Sequence, residues 1–202
     1  MKIVGVTGPS GAGKSSFTEY FKDRNIPVIN ADEVYHRLLI PPSSCLDAIR
    51  DTFGDSVIGQ NGELDRKVLS SIVFNDKSKL DLLNSTVLHF VLDKINLMIA
   101  EHEADNEMII IDAPTLIESG FHEKCDTVVS ILCPSEIRIN RIVSRDSIDV
   151  SKAIERTKAQ KSDDFYIQHS DYVIVNNGDK NYFEEKIRNV AERMGVDDSK
   201  FN

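Results

Sequence analysis

Gly8-Pro9-Ser10-Gly11-Ala12-Gly13-Lys14-Ser15 has the form G-x-x-x-x-G-K-[ST], and each of its residue types has a task at a phosphate group. Gly11, Ala12 and Gly13 let backbone N–H groups turn inward on phosphate oxygens. The helix that should follow, through Lys14, Ser15 and Ser16, adds the partial positive charge of its N-terminus. Lys14 reaches β- and γ-phosphates, and the Ser15 hydroxyl is the natural magnesium ligand. This chemistry predicts a nucleotide and Mg2+.

Three further patterns fall in with it. Met108-Ile109-Ile110-Ile111-Asp112 places a carboxylate after four apolar residues, where Asp112 either faces the magnesium shell or is merely structural. Asp32 follows a short apolar run, at the carboxyl end of a strand, where open α/β sheets bind ligands. It is placed there either as a general base, taking a proton from an attacking hydroxyl, or as the N-cap of a helix opening at Glu33. Arg138, Arg141 and Arg145 recur at three and four and so share a helix face, which is either a phosphate-facing lid or a solvated face paired with Glu136 or Asp146.

These side chains need elements to hold them. Lys2 to Thr7, Pro27 to Asn30, Met108 to Ile111, Thr127 to Leu132 and Tyr172 to Val175 read as five strands, apolar without alternation and separated by helical segments. That pattern predicts the α/β class, with a five-stranded parallel sheet covered on both faces. The strand, Gly-rich loop and helix at the start supply the context that the phosphate motif requires.

Roughly 75 residues separate the second and third strands, far more than a crossover needs. They hold a Pro41-Pro42-Ser43-Ser44 break, a turn at Asn61-Gly62, and a stripe of Leu80, Leu83, Val87, Val91, Ile95 and Met98 at helical spacing. An inserted helical subdomain over about 33–104 is expected. Lys180 to Met194 reads as a last amphipathic helix followed by a polar tail.

Composition narrows the function classes. The 202 residues suit one domain with insertions, and 41% hydrophobic against 28% charged residues excludes disorder. A net charge of -9 argues against nucleic acid or anionic lipid as partner, so an anionic ligand must be held locally. The three cysteines, Cys45, Cys125 and Cys133, have no metal spacing and read as reduced thiols. The N-terminal apolar stretch runs into Gly, Pro and Lys14 rather than a signal peptide, and no segment is expected to cross a bilayer; the cytoplasm is the expected location.

Six blocks then resemble the dephospho-CoA kinase family in order and over almost the whole chain. VINAD stands where that family has VIDAD, and NGELDRKVLSSIVF where it has D-G-x-L-D-R…L…V-F. DAPTLIESG matches D-x-P-L-L-x-E-x-G, RIVSRD matches R-x-x-x-R-D, RTKAQ matches R-x-x-A-Q, and SDYVIVNNG matches A-D-x-V-I-x-N-x-G. The resemblance implies a P-loop kinase fold with a helical acceptor-binding subdomain and a lid, over about 138–162 here, that phosphorylates the ribose 3′-hydroxyl of dephospho-CoA with ATP.

By that resemblance Asp32 is the catalytic base, with Lys14 and Arg141 as further catalytic groups, and Arg145 contacts the nucleotide. Asn177 belongs to a loop near adenine, or else to a plain Asn-Gly turn. Arg66, His89 and Asp112 fall on the acceptor side. For Arg66 a helix-start ion pair, and for His89 packing on an apolar helix, are the competing readings. A small-molecule acceptor and a monomer or weak homo-oligomer are implied. Asn30, Pro42, Phe90 and Thr115 depart from the family pattern, mainly around the acceptor. The loop string also resembles guanylate kinases, though residues 30–50 lack that family's T-T-R and P-R-x-G-E stretch. A non-catalytic nucleotide-binding regulator would be expected to have lost Lys14, Ser15 or Asp32, and all three are present.

Overall fold

The computed structural model of the chain describes residues 1–73 and 76–197. Its strands are β1 (Lys2–Thr7), β2 (Val28–Asn30), β3 (Met108–Asp112), β4 (Thr127–Leu132) and β5 (Tyr172–Val175). They form one sheet in the order β2-β3-β1-β4-β5, with parallel pairing along β3, β1, β4 and β5. The continuous apolar runs are explained by burial. β3 and β4 are buried at every position, as strands covered on both faces must be. Pro27 lies just outside β2, yet its carbonyl still accepts from Ile110 N at 2.9 Å.

The chain divides into two compact units, Met1–Ile29 with His102–Asn202, and Asn30–Glu101. The first unit carries the sheet together with α1 (Lys14–Lys22), α6 (Ser135–Asp146), α7 (Val150–Lys158), α8 (Asp163–Gln168) and α9 (Lys180–Arg193). Its main core packs Phe17 and Phe21 of α1, and Phe183 and Ile187 of α9, on Val4, Val6, Val129 and Ile131 of the sheet. The expected C-terminal amphipathic helix is α9, whose buried residues recur at three and four.

In the second unit lie α2 (Ala31–Leu38), α3 (Ser44–Phe53), α4 (Arg66–Val73) and nearly all of α5 (Lys77–His102). Its own core gathers Leu39, Cys45, Ile49, Val57, Leu69, Val73 and Leu83. The Pro41-Pro42 break separates α2 from α3, and Ser43 caps α3 by accepting from Leu46 N at 3.2 Å. Asn61 and Gly62 turn the chain beside the Ile58–Leu64 bridge. Phe74, the last residue of the NGELDRKVLSSIVF block, lies outside the described residues.

The stripe along α5 is less uniform than its spacing predicts. Leu83 and Ile95 are buried, Val87, Val91 and Met98 are half-buried, and Leu80 is 42% exposed. By length and composition alone α5 also passes for a membrane span, although Leu83, Val87 and Phe90 pack into the core of the second unit. All three cysteines are free, as expected; burial, with a smaller push from Asp126, raises the Cys125 thiol to about 12 and leaves it inert.

Candidate active site

The loop expected to hold phosphate leaves the carboxyl end of β1, the middle strand of the sheet. Two of its glycines are required by their surroundings. Gly8 has φ +134° and a Cβ there would come within 2.2 Å of the Ile131 carbonyl oxygen. Gly13 has φ +113° and its Cβ would lie 2.4 Å from Asn176 Nδ2. Gly13 is also the residue before α1, so the helix opens on the loop without a capping side chain and its first N–H groups are left for a ligand. Lys14 Nζ folds back along the loop, donating to Gly8 O at 2.7 Å and Pro9 O at 3.4 Å. Ser15 and Ser16 are exposed in the first turn of α1.

Asp112 ends β3 directly beside β1, in register with Val6, and is only 7% exposed. Ala113 N, one residue on, donates to Val6 O at 3.1 Å. The carboxylate therefore stands at the carboxyl end of the sheet, on the strand next to the one that feeds the phosphate loop.

The three arginines of α6 do not share one environment. Arg138 is 7% exposed, with Nη1 donating to Gln160 at 3.5 Å, and the backbone of Gly11 lies against it. Its burial departs from a solvated helix face at this position, whereas the pairing with Asp146 expected of such a face is made by Arg145. Arg141 is half-buried under the loop; Nη1 donates to Gly11 O at 3.1 Å and Ala12 O at 3.4 Å, and Nη2 to Asn176 Oδ1 at 3.5 Å. Arg145 is exposed. Its Nη2 donates to the Ser10 hydroxyl at 3.2 Å, while Asp146 accepts from its Nε at 2.7 Å and Nη2 at 3.0 Å.

Asp146 also accepts from Arg156 of α7, so one carboxylate ties the end of α6 to the next helix. The hydrogen bond from Arg145 is the largest cause that holds the Asp146 carboxyl down at about 2, with Arg156 adding to it. Burial, with a smaller push from Glu118, raises the Tyr166 phenol of α8 to about 12, and the nearby Arg138 charge opposes that rise.

Asn176 and Asn177 follow β5 and differ sharply. Asn177 is exposed, its Oδ1 accepting from Lys186 Nζ at 3.3 Å. Asn176 is 5% exposed and donates from Nδ2 to Ala12 O at 2.8 Å. Sequence reasoning singled out Asn177. The signal that could have favoured its neighbour is the family pattern itself, whose Asn aligns with Asn176.

Asp32, Arg66 and His89 belong to the second unit. The helix that carries Asp32 begins at Ala31 and is capped by Asn30, whose Oδ1 accepts from Glu33 N at 3.0 Å. The N-cap reading of Asp32 is thereby overturned; the residue is an exposed carboxylate in the first turn. Asp65 plays the corresponding part for α4, accepting from Lys67 N and Val68 N at 3.0 Å each, and leaves Arg66 exposed as the first helical residue. Arg66 is close enough to Tyr35 of α2 to oppose the rise that burial and Cys45 impose on that phenol. His89 is exposed on α5 with its ring 3.9 Å from that of Phe90.

Comparison with known proteins bears on the family and the fold. The family model described as dephospho-CoA kinase matches residues 2–181. A dephospho-CoA kinase of Fusobacterium nucleatum is 33% identical over 192 residues, 95% of this chain and 98% of that protein. One from Lactobacillus johnsonii is 31% identical over 194 residues, 96% and 98% of the two chains. The solved structure of a dephospho-CoA kinase from Campylobacter jejuni superposes with a TM-score of 0.72 at 26% identity, covering 96% of this chain and 98% of its own.

Proposed function

The chain belongs to the dephospho-CoA kinase family, and we propose that it transfers the γ-phosphoryl group of ATP to the ribose 3′-hydroxyl of dephospho-CoA, with Lys14 and Asp32 as its main catalytic side chains. The observation that carries this reading is an intact GPSGAGKS loop, built with its glycines at the strained positions, inside a family match of nearly full length. That match also replaces the guanylate-kinase alternative.

In this reading the N–H groups of Gly11, Ala12 and Gly13 and the opening turn of α1, with Ser15 and Ser16, cradle the phosphates of ATP. Lys14 swings from its carbonyl partners to the β- and γ-phosphates. Asp32 takes the proton of the 3′-hydroxyl as that oxygen bonds to the γ-phosphorus, and the bond to the bridging oxygen breaks to release ADP. Its exposure and its freedom from the capping task support that role. Arg145 is the arginine best placed to stabilise the transferring phosphoryl, because it already reaches Ser10. Arg141, the catalytic arginine of the sequence expectation, contributes through the Gly11 and Ala12 carbonyls that it holds under the phosphate loop. The segment at about 138–162, which holds most of α6 and all of α7, serves as the lid, tied at Asp146.

Magnesium fits the oxygen donors present. The Ser15 hydroxyl, exposed in the first turn of α1, is a hard oxygen ligand of the kind that magnesium takes together with waters and phosphate oxygens. When bound, the ion neutralises charge on the β- and γ-phosphates. Arg66, His89 and Asp112 are assigned to the acceptor, the unit Asn30–Glu101 to its binding, and Asn177 to the adenine side. We place the enzyme in the cytoplasm as a monomer or weak homo-oligomer, without nucleic-acid or membrane partners, in keeping with its net charge of -9.

Coupled ADP release tests the reading, measured separately with dephospho-CoA, GMP, AMP and no acceptor, with the product's phosphate located by 31P NMR. Release with dephospho-CoA alone, and a new 3′-phosphate, is expected. Equal release with GMP, or phosphate on another hydroxyl, overturns it.

A further inference from the structure

A phosphate-binding loop must aim its N–H groups at the ligand, and the same peptide planes then aim their carbonyls the other way, where each needs a donor. Here those donors are two side chains from elsewhere in the chain. Ala12 O accepts from Asn176 Nδ2 at 2.8 Å and from Arg141 Nη1 at 3.4 Å, while Gly11 O accepts from Arg141 Nη1 at 3.1 Å. The two donors are themselves joined, Arg141 Nη2 to Asn176 Oδ1 at 3.5 Å.

Asn176 has a rigid mount. It is the first residue past β5, its backbone N–H donates to Leu132 O of β4 at 2.7 Å, and its side chain is so close to the loop that a Cβ on Gly13 would collide with it. Burial to 5% exposure keeps water from replacing the amide at these carbonyls.

We propose that Asn176 is a positioning residue for phosphoryl transfer, forming with Arg141 a brace that holds the Gly11 and Ala12 carbonyls back so that the loop N–H groups stay turned to the phosphates. The inference rests on the kinase reading above for its reaction. Its physical content is that one carboxamide must donate to a carbonyl and accept from a guanidinium at once. Aspartate has the size but only acceptors, so it repels Ala12 O; alanine removes both contacts.

The test compares wild type, Asn176→Ala and Asn176→Asp by four measurements: thermal unfolding, amide hydrogen exchange, MgATP affinity by calorimetry, and single-turnover transfer to dephospho-CoA. With MgATP bound, both variants should exchange the N–H groups of Gly11, Ala12 and Gly13 at least about tenfold faster while β3 amides keep their protection. ATP affinity should fall by roughly threefold to tenfold and the single-turnover rate by about 30-fold or more, since misplaced loop dipoles weaken charge developing in the transition state. Unchanged loop exchange with a rate within threefold of wild type overturns the proposal. So does an equal loss of protection in loop and sheet, which marks a merely structural asparagine. Should Asn176→Ala not fold, the isosteric Asn176→Asp decides by the same criteria. If the wild type binds MgATP but does not phosphorylate dephospho-CoA, the kinase reading fails by itself, and loop exchange with ATP affinity still decides whether the brace exists.

Discussion

Asn30 accepts the backbone N–H of Glu33 at 3.0 Å, so the cap of α2 is filled by the residue two places before Asp32. The position at which this chain departs from the family's D-A-D is thus the one that starts the helix, and the carboxylate that follows is left for other work.

Two substitutions separate those tasks. Asp32→Asn should lower turnover by about 10²-fold or more, with ATP affinity little changed and stability altered by less than about 1 kcal/mol, the value of a first-turn charge. Asn30→Ala should do the reverse, costing about 1 kcal/mol of stability with turnover within a few-fold of wild type. Steady-state kinetics and thermal unfolding of both variants check this; a stable, fully active Asp32→Asn enzyme removes Asp32 from the reaction.

Lys14→Ala should abolish measurable transfer, a loss of at least about 10²-fold, while leaving the thermal midpoint almost unchanged. Its ammonium donates to the carbonyls of Gly8 and Pro9 in the loop itself. Activity within threefold of wild type would falsify the assignment of the loop.

Arg145→Ala should lower the single-turnover rate by about 10²-fold, with ATP binding weakened less than roughly fivefold, because a guanidinium at the phosphates acts mainly on charge developing in transfer. Arg188→Ala, on the exposed side of α9, is the control and should change neither. Equal small effects in both variants would return Arg145 to an ordinary surface role.

Protonation offers an independent probe of the α6–α7 tie. Asp146 is held at about 2, below its ordinary 3.8, chiefly by the hydrogen bond from Arg145. A depressed carboxyl stabilises the folded state fully above its unfolded pKa, and this contribution is lost as pH falls from about 4 through about 2. The Asp146 carboxyl carbon should therefore titrate by NMR with a midpoint near 2, moving up toward 3.8 in Arg145→Ala. A wild-type midpoint at 3.8 means that the pair does not form in solution.

Much of the fold could be read from local pattern. β1, β4 and β5 run over the residues that their apolar runs predict, and β2 and β3 differ by one residue at one end, because a strand buried on both faces announces itself by uninterrupted apolar side chains. The phosphate loop is equally local: glycine torsions, lysine and serine lie in one stretch between a strand and a helix. The sheet order is not local, since β1 pairs with β3 and β4, segments about 100 residues away.

Spacing placed Arg138, Arg141 and Arg145 on one side of α6, but their fates as buried, half-buried and exposed were set by Gln160, the loop carbonyls and Asp146, which come from separate parts of the chain. Asn176 and Asn177 make the same point between neighbours. Their side chains are identical, but where the chain leaves β5 one turns inward onto Ala12 and the other outward to Lys186. The motif put both asparagines just past the carboxyl end of β5. Which one grips the loop depended on the packing of β5 beside β4, a contact between residues far apart in sequence that no local pattern encodes.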